Sequence, residues 1–224
     1  MTTERPGEPD PALPDADPAP RVADADSAPG LADALAIIEA QRARAADVRP
    51  SSALLFGIWG LVWLVGYGAM WWTARDDSTP SVAAAVVAIG GGLLALLVTI
   101  VHIARRTRGI VGGSARQGAM FGWAWAIGFV AQSMIVGGLG QAGASGEVIA
   151  LAANAIAALV VGLLYLAGGI LWRATGMYVL GGWIALVGAS AALAGLPGSY
   201  LVMALAGGGG MLAMGAVEAA RARG

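Results

Sequence analysis

The chain of 224 residues contains no cysteine. Disulfides, thiolate nucleophiles, iron–sulfur ligation and Cys-based zinc sites are therefore excluded. Lysine is absent as well, and the all-arginine basic set, with heavy Ala and Gly usage, matches the coding bias of a high-GC bacterium. His102 is the only histidine, so neither bis-histidine haem ligation nor a multi-histidine metal site can be built. Charge is scarcest where it matters most. Between Arg116 and Glu218 the only Asp, Glu, Lys, Arg or His side chains are Glu147 and Arg173.

What fills that interval is apolar. Hydrophobic residues make up 58% of the chain and charged residues 12%, with a mean hydropathy of +0.72, far from the balance of a soluble domain. The run 174–217 greatly exceeds the roughly 20 apolar residues that cross a bilayer, so it holds two crossings. The expected fold class is all-α: a polytopic bundle of six transmembrane helices at about 53–73, 81–103, 118–140, 148–172, 177–194 and 199–217. Pro50 with Ser51, Thr79 with Pro80, and Pro197 with Gly198 mark boundaries. The connections are too short to hold a soluble domain.

Two further regions precede this 50–224 membrane domain. Residues 1–30 carry Pro6, Pro9, Pro11, Pro14, Pro18, Pro20 and Pro29 with an acidic excess, which predicts a disordered tail. The tail is acidic and poor in apolar residues, unlike a secretory signal, and its charge argues against contact with nucleic acid. Residues 31–49 predict a cytoplasmic amphipathic helix with Leu31, Ala34, Leu35, Ile38 and Ala45 on one face. Asp33 and Glu39 come early and Arg42 and Arg44 late, as the helix dipole prefers. Such a helix lies on headgroups or docks on a partner; a solvated spacer is the alternative.

Arginine placement sets the expected orientation. Arg42, Arg44 and Arg49 precede the first span, Arg105, Arg106, Arg108 and Arg116 lie between the second and third, Arg173 follows the fourth, and Arg221 and Arg223 end the chain. Only Arg75, beside Asp76 and Asp77, falls on the other side. Both termini are expected in the cytoplasm and the protein in the cell membrane, with the basic loop Arg105, Arg106, Arg108 and Arg116 against anionic headgroups.

Span comparison suggests three repeated hairpins. Gly92-Leu-Leu-Ala-Leu, Gly162-Leu-Leu-Tyr-Leu and Gly210-Met-Leu-Ala-Met recur in the even spans, and Gly60, Trp63, Gly66 and Tyr67 align with Gly122, Trp125, Gly128 and Phe129. Glycine runs fall near mid-span at Gly90, Gly91 and Gly92 and at Gly207, Gly208, Gly209 and Gly210. They either break a helix to line a substrate site or let helices approach closely. Polar residues within the spans are few, and Gln132 and Asn154 lie at similar depth on adjacent helices. They form a candidate hydrogen-bonded pair, either as interhelical glue or as the lining of a permeation path.

His102 lies at a membrane interface beside the arginine cluster. Met203, Met211 and Met214 form a stripe suited to packing, and Trp71, Trp72, Trp123 and Trp172 sit at span ends as interfacial anchors. No Gly-x-Ser-x-Gly, His-Glu-x-x-His or Walker motif is present, so no catalytic or cofactor-binding residue is assigned and an enzyme is not expected.

VHIARRTRG (101–109), GAMFGWAW (118–125) and PGSYLVMALAGGGG (197–210) resemble stretches of small actinobacterial six-span membrane proteins that carry generic transporter or membrane-protein labels. The layout is also similar to export-type ABC permease subunits. This resemblance implies a small permease or transport subunit, with a homo-oligomer, another membrane protein or a separate ATPase as partner. The alternative is a nonenzymatic membrane interaction or regulatory protein that recruits a partner.

Overall fold

The computed structural model describes residues 30–47 and 50–223. The acidic Pro-rich tail and Arg49 lie outside the described residues. Those described form helices joined by short connections, and the all-α expectation holds. The first helix, α1 (Leu31–Asp47), falls in a different compact unit from the helices that follow. Its first turn carries Asp33, and Leu31, Leu35, Ile37 and Ile38 are exposed.

Six helices long and apolar enough to cross a membrane follow: α2 (Ser52–Thr73), α3 (Val82–Arg106), α4 (Gly113–Gln141), α5 (Gly146–Leu171), α6 (Thr175–Leu193) and α7 (Gly198–Arg221). The chain is a multi-pass membrane protein. Serine starts three of these helices: Ser51, Ser81 and Ser145 each accept a hydrogen bond from the backbone N–H three residues on. That satisfies one of the donors every helix start leaves open, which matters more where water is scarce. Arg105 and Arg106 close α3 and Arg221 closes α7, opposite the dipole's negative end. Gly143 and Gly195 turn the chain at positive φ, +84° and +63°, a backbone region that side chains disfavour.

Helix ends meet in a consistent register. Ser51, at the start of α2, donates its backbone N–H to His102 Nε2 near the end of α3 (3.0 Å). At the opposite end Ser81 N–H donates to Thr73 Oγ1 (3.1 Å). Phe121 near the start of α4 packs edge-on against Trp172 just after α5, with ring centroids 4.6 Å apart. Gly176 at the start of α6 faces the Glu218 side chain near the end of α7, so the starts of α2, α4 and α6 sit beside the ends of α3, α5 and α7. One end of the bundle gathers Arg105, Arg173 and Arg221, and the other carries Asp76 and Glu147.

Two crossings are backbone to backbone. A methyl group added at Gly162 of α5 would lie 2.7 Å from the Gly181 carbonyl of α6, and one at Gly181 would lie 2.7 Å from the Gly162 carbonyl. Gly60 of α2 and Gly208 of α7 stand in the same reciprocal relation. Lipid tails are as apolar as leucine, so such close packing, rather than apolar burial, holds spans together. Around the crossings lies the core: Phe56, Ala158, Tyr165, Leu180, Ile184, Val187, Met203 and Met211. Helix α3 packs on α2 and helix α4 on α5. None of the residues of α4 is buried.

The first two hairpins share one device. Gly66 lets α2 approach Ala88 of α3, and the aligned Gly128 lets α4 approach Val160 of α5. The glycines that align in the even spans differ in their surroundings. Gly162 lies in a backbone crossing, Gly210 lies against Trp183, and Gly92 faces open space.

Candidate functional site

The glycine run of the last span sits inside an unbroken but modified helix. Residues Met203–Gly208 wind as a π-helix, with α-helical turns before and after. Widening a turn by one residue leaves a carbonyl without its usual partner, and in lipid an unsatisfied carbonyl costs several kcal/mol. Here the indole of Trp183 on α6 donates Nε1–H to the Ala206 carbonyl at 2.8 Å. Gly210, one turn on, makes room for that indole: a methyl group there would collide with Trp183 Nε1. Gly207 faces the Trp63 ring, Gly208 faces the backbone of Gly60 and Leu64, and Gly209 faces open space. The run is therefore a packing surface on three of its members, and the helix is not broken at it.

Gln132 and Asn154 both make interhelical hydrogen bonds, but not to each other. Gln132 Nε2 on α4 donates to the Ala153 carbonyl of α5 at 2.9 Å. Asn154 Oδ1 accepts from the Tyr67 hydroxyl of α2 at 2.9 Å. Equal depth does not place two side chains on facing surfaces. Successive residues of α5 are about 100° apart around its axis, and Asn154 is directed to α2 while α4 packs on another side.

Four other polar side chains of the spans are tied locally or across one seam. Trp59 Nε1 donates to Thr99 Oγ1 (3.1 Å), joining α2 to α3. Ser133 and Ser190 hydroxyls donate to carbonyls of their own helices. Gln132 Oε1 and Ser199 Oγ are buried without a hydrogen-bond partner among the described residues. Aromatic contacts run through the same region: Tyr67 stacks with Tyr200, and Trp125 meets Tyr165 edge-on. Met203 and Met211 are fully buried and Met214 packs on the core. Trp72, Trp123 and Trp172 are exposed, and the Arg75 guanidinium lies 3.7 Å from the Trp72 ring centroid.

Two open grooves lie along α4. One, of about 380 Å³, is lined by Gly113, Arg116, Gln117, Met120, Phe121 and Leu171. The other, of about 430 Å³, is lined by Phe129, Val130, Ser133 and Met134. Neither includes a residue of the π-helical segment. Sequence reasoning missed that segment, and it missed the role of Trp183, whose tryptophan facing a carbonyl across a helix seam has no local signature. It singled out Tyr67 and Asn154 separately and did not join them. No known family profile, curated protein or solved structure matches the chain.

Proposed function

We propose that this protein is a nonenzymatic membrane interaction protein: a close-packed six-helix anchor in the cell membrane, with both termini cytoplasmic, that presents α1 to a protein partner. The observation that carries the reading is the reciprocal Gly60–Gly208 contact. It occupies Gly208, inside the run that a mid-membrane substrate site in α7 would have to open, while Trp63 and Trp183 cover Gly207 and Gly210. The hydrogen bonds of Tyr67, Asn154, Gln132 and Trp183 support it further, since they join helix to helix instead of converging on a shared space. In α1 the exposed Leu31, Leu35 and Ile38 follow the spacing by which an amphipathic helix enters a partner's apolar groove. The arginine asymmetry supports the orientation.

Photo-crosslinking from position 35 of the full chain in native membranes tests this reading. The expected result is a discrete protein adduct that disappears when Leu31, Leu35 and Ile38 are replaced by Ser. Adducts to lipid alone would make α1 an interfacial helix and overturn the reading.

The permease reading keeps one supporting observation, the π-helical turn in α7. Such turns recur at functional sites, and one that reverted to α geometry would shift the register of everything after it. Transport by this route requires that water or solute reach Met203–Gly208 in some state of the protein.

A further inference from the structure

We infer that the groove at the start of α4 is a binding site for one anionic phospholipid. The groove runs along two turns of α4, with Arg116 and Gln117 toward the helix start and Met120 and Phe121 one turn deeper, and Leu171 of α5 forms its far wall. Its polar and apolar lining is therefore ordered along the helix as a phospholipid is ordered along the membrane normal. Three features at the mouth favour negative charge. Arg116 forms no ion pair with a described residue, and its guanidinium suits a phosphate. The N-cap residue Gly112 supplies no side-chain cap, so the first N–H groups of α4 keep their positive potential. Arg173 follows α5 at the same end of the seam, where Trp172 meets Phe121.

The apolar part fits an acyl chain. Met120 is 65% exposed, and Phe121 is held in place by Trp172 and Trp125 at 4.6 and 6.3 Å between centroids. A fixed aromatic wall beside a flexible methionine accepts a chain of variable conformation. Neutral lipid would fill the apolar part equally well and leave the mouth uncompensated. The charge at the mouth is what selects an anionic headgroup, and the inference stands whether or not α1 recruits a partner.

The test is native mass spectrometry of the full chain purified in detergent and supplied with phosphatidylglycerol or phosphatidylcholine. One phosphatidylglycerol per chain should be retained in preference to phosphatidylcholine. Arg116→Gln should weaken that retention about fivefold, the effect of about 1 kcal/mol for one basic residue at an anionic surface. Met120→Trp should also weaken it by filling the groove, with Arg116 intact, whereas Arg105→Gln should leave it unchanged. Equal retention of both lipids, unaltered retention in Arg116→Gln and Met120→Trp, or displacement of the lipid by inorganic phosphate alone would each overturn the assignment.

Discussion

Gly60 of α2 and Gly208 of α7 face each other so closely that a methyl group on either would lie 2.9 Å from the other's carbonyl oxygen. Leu64 N tightens the same contact, at 2.6 Å from a methyl on Gly208. The obstructing atoms are backbone, which cannot rotate away as a flexible side chain can.

Gly208→Ala should therefore push α7 off α2 and lower stability by about 1 to 3 kcal/mol, as overpacking does. Gly209→Ala is the matched control, because its methyl meets open space. It should be neutral or slightly stabilising, given alanine's better helix propensity. Equilibrium unfolding of both variants in bicelles checks the difference, and equal losses would contradict the packing account.

Trp183→Phe keeps an aromatic ring and removes the donor to the Ala206 carbonyl. A loss of about 1 to 3 kcal/mol is expected if that carbonyl is left bare, again read by unfolding. A smaller loss accompanied by altered amide exchange across Met203–Gly208 would show the π turn relaxing to satisfy the carbonyl from within the helix.

The Tyr67–Asn154 bond should couple α2 to α5 weakly. A double-mutant cycle with Tyr67→Phe and Asn154→Ala should return about 0.6 kcal/mol and no more than about 1.7, the range of interhelical bonds in membranes. Phe129→Tyr, at the aligned position of the third span, should not restore the coupling, because Asn154 is directed to α2. Measured coupling near zero would contradict the bond.

Much of this architecture was legible because hydropathy and capping are local. The runs rich in Leu, Val and Ala fixed six spans, and Ser51, Ser81 and Ser145 mark helix starts as their chemistry requires. The largest boundary shifts fall where polar residues continue a helix past the apolar run. Helix α4 begins at Gly113, with Arg116 and Gln117 in its first turns, and α3 continues to Arg106. Which helices touch was less accessible. Depth along the chain placed Gln132 beside Asn154, but azimuth around α5 decides the partner, and azimuth depends on the packing of every neighbour. The glycine run at 207–210 illustrates the same limit: its small residues permit close packing or a break, and only Gly60, Trp63 and Trp183 on other helices distinguish them.

Orientation is open to a direct test, since the chain has no native cysteine. Asp76→Cys and Ile110→Cys should react with an impermeant thiol reagent from opposite faces of the membrane, with position 110 cytoplasmic by the arginine asymmetry. Labelling of position 110 from outside would reverse the assignment and place α1 on the other side.

The central claim is that the bundle is closed and packed through its middle, and thiol accessibility within the π-helical segment tests it most directly. Ala204 is 1% exposed and Ala206 accepts the Trp183 bond. Single-cysteine variants Ala204→Cys and Ala206→Cys, in native membranes, should remain unlabelled by a small hydrophilic thiol reagent from either face, while Ile110→Cys reacts readily. Rapid labelling at 204 or 206 would show that water reaches the centre of the bundle, contradicting the packed anchor and restoring the permease reading.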